Sequence, residues 1–115
     1  MKIKLLLLIL SLKLFASSYG ELLFNGNCVT CHSTNELNKS APTIIEIQES
    51  YKSAFPLKKD FVSYMSTWVL NPNDESSLMH DSIKKYKLMP FLGYDKETLE
   101  EISTYIYDLT NNKVE

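Results

Sequence analysis

The stretch Cys28-Val29-Thr30-Cys31-His32 sets two cysteines on either side of two residues, with a histidine immediately after them. This spacing is the attachment signature of a c-type haem. One turn of backbone lets both thiols add to the two vinyl groups of a porphyrin. The histidine that follows is then placed to bind the iron as its proximal ligand. The stretch therefore predicts one covalently attached haem c, held by Cys28, Cys31 and His32.

Three other interpretations of the cysteines stay open at this point. A thioredoxin-like redox pair would need a βαβ context, and the residues that follow do not have the pattern of a strand. A structural zinc ion needs four ligands, so the two cysteines and two histidines of the chain would have to be joined by carboxylates. A plain disulfide is compatible with an oxidising compartment.

The start of the chain has the pattern of a secretory signal peptide. Lys2 and Lys4 precede an apolar run, and small residues follow up to Gly20. A lysine interrupts the run, which is shorter than the roughly 20 residues of a membrane-spanning helix. We therefore expect residues 1–20 to be a signal peptide, cleaved near Gly20 or slightly earlier, and residues 21–115 to be a periplasmic domain. An uncleaved membrane anchor is the alternative.

The charge of residues 21–115 argues against nucleic acid as a partner. These residues carry nine lysines, no arginine and fourteen acidic residues, a formal net charge of −5. Proteins that bind phosphate backbones need clustered positive charge. A domain of this size has a modest core, and a large apolar cofactor would add buried surface to it.

Hydrophobic periodicity predicts an all-α domain of about four to five helices wrapped around the haem. Prolines separate the helical segments, because the residue before a proline disfavours helix. The last helix begins at the N-cap Asp95, whose carboxylate can accept a free backbone N–H. The earlier helices are predicted at residues 21–27, 43–51, 58–70 and 77–86.

The distal side of the iron has four candidate ligands, Met65, Met79, His80 and Met89. Met65 lies in a helical apolar stripe, where methionine ordinarily fills the core. Met79 and His80 lie in a helix that we expect to pack nearby. Met89 lies in a loop before Pro90, which fixes the local backbone and can hold a flexible thioether at one point. We therefore expect Met89 to be the distal ligand.

Together these features resemble class I c-type cytochromes, the small bacterial proteins with one haem, over essentially all of residues 21–115. The family order is an N-terminal helix with a buried aromatic residue, the haem motif, a proline loop, an aromatic helix, a methionine–proline loop and a C-terminal helix. The matching positions are Phe24, Cys28, Cys31, His32, Pro42, Trp68, Met89-Pro90 and residues 99–109.

The resemblance implies further roles. The second ring nitrogen of His32 would donate to the Pro42 carbonyl and so fix the ring. The Trp68 indole N–H would reach a haem propionate, unless the side chain only packs in the core. The N- and C-terminal helices would cross closely, with Gly20 as the small residue and Tyr105 as its partner. Cleavage after Gly20 would remove that contact.

The function that the resemblance implies is one-electron transfer by a soluble periplasmic carrier, not an enzymatic reaction. Iron bound by His32 and Met89 has no open position for a substrate, and methionine raises its reduction potential. The expected partners are redox proteins of a respiratory chain, such as a terminal oxidase or reductase. The carrier is expected to be a monomer that reaches the membrane only through partners or an uncleaved leader.

Two groups of lysines are candidates for the docking surface. Their charge would attract an acidic partner if they surround the haem edge, and they form an ordinary solvated face if they do not. The groups are Lys58 with Lys59, and Lys84 with Lys85 and Lys87.

Three alternative functions remain. A gas-binding or gas-sensing haem protein would have a displaceable Met89. A membrane-anchored haem subunit of a respiratory complex would keep its leader. A haem-free thiol oxidoreductase would use Cys28 and Cys31.

Overall fold

The computed structural model describes residues 19–33 and 40–110, which form five helices and no strand. The all-α prediction is therefore confirmed for these ranges. Most of the predicted signal peptide, residues 1–18, lies outside them. None of the described helices is long and apolar enough to cross a membrane. The helices are α1 (described residues 19–27), α2 (Ile44–Ala54), α3 (Lys58–Leu70), α4 (His80–Tyr86) and α5 (Lys96–Asp108).

Two helices begin or end at the residues that the sequence predicts. The bounds of α3 agree with the prediction at both ends. The N-cap of α5 is Asp95, whose carboxylate accepts the backbone N–H of Thr98 at 2.9 Å. This bond satisfies one of the free N–H groups in the first turn.

The other helices differ from their predicted bounds. The first helix already includes residues 19 and 20, and α2 continues to Ala54, where Phe55-Pro56 stops it. The fourth helix begins at His80 and not at residue 77. There the Ser77 hydroxyl accepts the Met79 N–H at 3.0 Å, and Met79 has non-helical backbone angles. Local side-chain bonding thus replaces the expected first turn of α4.

The core lies where α3 packs along α5. The rings of Phe61 and Tyr107 meet edge to face with 5.0 Å between centroids. Lys58 at the start of α3 pairs with Asp108 at the end of α5 at 2.8 Å, so the two helices run antiparallel. The buried apolar residues are Phe24, Ile44, Tyr51, Phe61, Met65, Leu99, Ile102, Ile106 and Leu109.

A buried amide joins α2 to the end of α5. Gln48 is 5% exposed, and its Nε2 donates to the carbonyls of Ile106 at 2.9 Å and Leu109 at 2.6 Å. Carbonyls at the C-terminus of a helix lack the usual partner four residues on, and the Ile106 carbonyl accepts only a long bond of 3.4 Å from the Leu109 N–H. Gln48 supplies a shorter bond from another helix and so fixes α2 against the C-terminal end of α5.

The first helix crosses α5 at close range. A Cβ atom on Gly20 would lie 2.8 Å from both the Glu101 carbonyl oxygen and Tyr105 Cβ. The ring of Phe24 meets that of Tyr105 at 5.8 Å. The crossing expected at Gly20 and Tyr105 is therefore present. It places Gly20 within the folded domain, one residue before the domain start expected at position 21.

Candidate functional site

A cavity of about 330 Å³ lies among the helices. Side chains from all five helices line it, and most of them are apolar. Its size and lining are typical of sites for small molecules and cofactors. All of the site residues predicted from the sequence line it, namely Cys28, Cys31, His32, Pro42, Trp68 and Met89.

The Cys-x-x-Cys-His stretch forms one compact turn at the end of α1. The N–H of Cys28 bonds to the Phe24 carbonyl at 2.8 Å, which continues the helical pattern. The N–H groups of Cys31 and His32 then bond to the Cys28 carbonyl at 3.2 and 2.9 Å. This turn brings both thiols and the imidazole to the same wall of the cavity.

The imidazole of His32 is held in one orientation. Its Nδ1 lies 2.8 Å from the Pro42 carbonyl oxygen. A carbonyl only accepts hydrogen bonds, so Nδ1 carries the proton. Burial lowers the pKa of His32, although the bond to Pro42 partly opposes this effect. The ring is therefore neutral at pH 7, and its Nε2 lone pair is available to a metal.

A capping box holds the Pro42 carbonyl in place. Thr43 is the N-cap of α2, and its hydroxyl accepts the Glu46 N–H at 3.2 Å. The Glu46 carboxylate accepts the Thr43 N–H in return at 3.0 Å. These reciprocal bonds fix the entry of the chain into α2. The Pro42 carbonyl that accepts from His32 Nδ1 is thus held in a fixed position just before α2.

The two cysteines are free thiols in different surroundings. Cys28 is half-buried, whereas Cys31 is exposed. Burial raises the pKa of the Cys28 thiol to about 11, and the neighbouring Cys31 adds to the shift. Redox-active Cys-x-x-Cys pairs work through a thiol of lowered pKa. The raised pKa of Cys28 is thus not that of an activated thiol.

Met89 lines the cavity from the loop between α4 and α5. Met65 and Met79 also line it, and Met65 is 3% exposed within the core. His80 does not line the cavity, and its Nδ1 lies 3.4 Å from an Asp74 carboxylate oxygen on the surface. The structure therefore separates His80 from the other candidates for the distal ligand.

The loop that carries Met89 is hydrogen-bonded at both ends. At its start, the Lys87 N–H bonds to the Ile83 carbonyl at 2.7 Å, and Lys87 has φ of 73° and ψ of 172°. This backbone region is costly for a residue with a side chain. After Met89, the Tyr94 hydroxyl donates to Asn27 Oδ1 at 2.9 Å, next to Cys28. The loop is thereby tied to the end of α1.

Trp68 lines the cavity, but its indole N–H has a protein partner. Nε1 donates to the Asn73 carbonyl oxygen at 3.0 Å. Asn73 also orders the following loop, since its Oδ1 accepts the Ser76 N–H at 2.9 Å. A bond from Trp68 to a propionate would require exchange of this hydrogen bond.

No family model, curated protein or solved structure matches this chain. The choice of cofactor therefore rests on the residues themselves. A covalent haem with histidine and methionine ligands requires two thiols, an imidazole with a free nitrogen, a distal methionine and an apolar cavity. Cys28, Cys31, His32 and Met89 line one apolar cavity, and the proton on His32 Nδ1 leaves Nε2 free. These residues fit the group.

Two residues of this site do not follow from the sequence. Tyr51 lines the cavity from α2, and Tyr94 ties the Met89 loop to α1. Neither lies in a motif, and a tyrosine in an amphipathic segment ordinarily indicates a residue of the hydrophobic core. Only the packing of distant segments reveals their positions.

Proposed function

We propose that this protein is a periplasmic electron carrier with a single covalently attached haem c. Cys28 and Cys31 would form the two thioether bonds, and His32 Nε2 and the Met89 sulfur would bind the iron. The observation that carries the proposal is the meeting of these four side chains at one apolar cavity.

The residues of the chain would limit the site to electron transfer. When bound, the haem supplies an iron centre that gains or loses one electron. His32, held by Pro42, keeps its ring in one orientation, and a loop hydrogen-bonded at both ends presents Met89. With both positions taken by the protein, a substrate has no place at the metal. The thioether and the apolar walls would favour the less charged ferrous state and so raise the potential.

The surface beside the Met89 loop suits brief docking of a redox protein. Leu88, Phe91 and Leu92 are 42%, 70% and 44% exposed, an unusual density of apolar surface around Met89. The exposed lysines Lys84 and Lys85 lie on the neighbouring helix. An apolar patch with basic residues beside it would favour an acidic partner surface. Respiratory oxidases and reductases are the partner class proposed here.

The other lysine pair lies elsewhere. Lys58 and Lys59 line a separate cleft between α3 and α5, together with Lys96 and Glu100. Lys58 is also paired with Asp108. We therefore restrict the proposed docking surface to the side of the molecule that carries α4 and the Met89 loop.

The visible spectrum of protein made with a haem-attachment system tests the proposal. We expect a reduced c-type spectrum and, in the oxidised protein, a weak sulfur-to-iron band near the red edge. Met89→Ala should abolish that band and open the iron to carbon monoxide. Met79→Ala is the matched control, because Met79 lines the same cavity, and it should leave the band in place.

Three results would contradict the proposal. A c-type spectrum with no sulfur band and ready carbon monoxide binding in the unaltered protein would favour the gas-binding alternative. Loss of the band in Met79→Ala alone would move the distal ligand to Met79. A protein without haem would favour the alternative in which Cys28 and Cys31 act as a thiol oxidoreductase pair.

A further inference from the structure

The first described turn of α1 belongs to the packed domain. Gly20 is buried, and a Cβ atom on it would lie 2.8 Å from the Glu101 carbonyl oxygen and 2.8 Å from Tyr105 Cβ. The backbone of α1 can approach α5 so closely only because residue 20 has no side chain. One turn further along, the Phe24 ring packs against that of Tyr105.

Tyr19 marks the edge of this packing. Its side chain is 49% exposed, whereas the next residue, Gly20, is buried. A chain that begins at Tyr19 therefore keeps the whole crossing of α1 with α5. A chain that begins at Glu21 loses the residue at which the two helices lie closest.

The sequence before Glu21 offers two bonds that match the pattern for removal of a secretory leader. Such a site has small residues at the last position before the cut and two positions earlier. Ala16 and Ser18 meet this condition for a cut after Ser18, and Ser18 and Gly20 meet it for a cut after Gly20. A cut one or two bonds before the first of these would put a large apolar residue at the earlier position.

The packing of α1 decides between the two bonds. A cut after Gly20 would leave only residues 21–27 of the described helix. So short a helix is marginal in water and depends on its contacts with other helices. That cut removes the closest of those contacts, whereas a cut after Ser18 removes no residue that the structure describes.

We propose that signal peptidase hydrolyses the Ser18–Tyr19 peptide bond, so that the exported protein begins at Tyr19. Water adds across this bond. Ser18 leaves with a new carboxylate, and Tyr19 keeps a protonated α-amino group. The inference rests on the proposed periplasmic location, since a secretory leader is removed from a chain that is exported.

N-terminal sequencing of the exported protein tests the inference. The full chain with its leader is produced in a bacterium that carries a haem-attachment system, and protein from the periplasmic fraction is sequenced. We expect Tyr-Gly-Glu as the first three residues. A start at Glu-Leu-Leu would show a cut after Gly20 and overturn the inference, as would a start at any other residue.

Two neighbouring substitutions form a matched pair for the peptidase. Ala16→Gln puts a large side chain at the earlier small position of the proposed site and should abolish the start at Tyr19. Ser17→Gln makes the same change at the position between the two small residues, which the pattern leaves free, and should keep that start. Both lie before the described domain. A Tyr19 start that persists in Ala16→Gln, or is lost equally in both variants, would overturn the assignment to signal peptidase.

Deletion of Tyr19 and Gly20 from the full chain tests the structural reason for the choice. The deletion leaves Ala16-Ser17-Ser18 in place, so the exported product would begin at Glu21. Its thermal unfolding midpoint should be lower than that of the unaltered protein by about 5 °C or more, because the crossing is lost. An unchanged midpoint would overturn the argument that the domain needs Gly20.

Failure of this inference can be told apart from failure of the proposed function. An uncut chain in the membrane fraction would overturn the inference and favour the membrane-anchored haem subunit. A protein that begins at Tyr19 but has no c-type spectrum would overturn the proposed function and leave the cleavage site standing.

Discussion

At the scale of single residues, buried polar side chains have roles that local sequence patterns do not predict. Gln48 and Tyr51 lie on one helix and both are about 95% buried. The amide of Gln48 donates to carbonyls at the end of α5, whereas Tyr51 lines the cavity. Gln48 therefore holds two helices together, and Tyr51 belongs to the wall of the candidate site.

Replacing Gln48 tests its structural part. Gln48→Met keeps the shape of the side chain but removes the donor to the Ile106 and Leu109 carbonyls. Loss of this donor to two carbonyls should lower the free energy of unfolding by about 1–3 kcal/mol. Urea unfolding of the protein measures this loss. Glu49→Met is the control, because Glu49 is exposed and should change stability by less than about 0.5 kcal/mol. Equal effects would show that the amide contributes nothing.

At the scale of helices, the crossing of α1 and α5 positions the haem motif. The motif begins at the residue after α1, so any shift of this helix moves Cys28 and His32 relative to the cavity. The contact is close because Gly20 has no Cβ. The pairing of Phe24 with Tyr105 extends it by one turn.

Two glycines of the same helix give a paired test of this crossing. A Cβ on Gly20 would strike the Glu101 carbonyl, whereas a Cβ on Gly26 would meet nothing within 4 Å. Gly20→Ala should therefore destabilise the protein by about 1–3 kcal/mol through overpacking. Gly26→Ala should stabilise it by about 0.5–1 kcal/mol, because alanine restricts the unfolded chain and favours helix. Thermal unfolding measures the stability of both variants. If Gly20→Ala is as stable as Gly26→Ala, the close crossing of α1 and α5 is contradicted.

The sequence predicts the helices better than it predicts their packing. The bounds of α3 and the Asp95 cap follow from apolar spacing and a capping residue, which are local signals. The predicted start of α4 at residue 77 was wrong. The Ser77 hydroxyl accepts the Met79 N–H and no helical turn begins there, so the helix begins at His80. The bond from Gln48 to Ile106 joins residues 58 positions apart, and no local pattern reveals such a pair.

The candidate site likewise contains residues that the sequence predicts and residues that it does not. The Cys28–His32 spacing is a motif that stands out in the sequence. Met89 was predicted as a ligand from its loop and its proline, and the structure shows that it lines the cavity. The place of Tyr51 depends on where α2 packs, so it emerges only from the structure. The Trp68 N–H donates to the nearby Asn73 carbonyl in the structure, and its bond to a propionate stays a prediction.

At the scale of the whole molecule, net charge and local charge predict opposite behaviour toward an anion. The net charge of −5 over residues 21–115 would repel it. The exposed Lys84 and Lys85, beside the cavity, would attract it. The Debye length is about 10 Å at 0.1 M salt, so charges near the docking surface should outweigh distant ones.

Oxidation of the reduced haem protein by hexacyanoferrate(III), a small anionic oxidant, decides between these effects. If the surface beside the Met89 loop governs encounter, the rate constant should fall as salt is added. Reversing both charges, Lys84→Glu with Lys85→Glu, should lower it at low salt by about tenfold. The matched double variant is Lys59→Glu with Lys96→Glu, whose side chains line the other cleft. It changes the net charge equally and should have a much smaller effect. A rate that rises with salt, or that falls equally in both variants, would mean that net charge controls encounter and that α4 does not mark the docking surface.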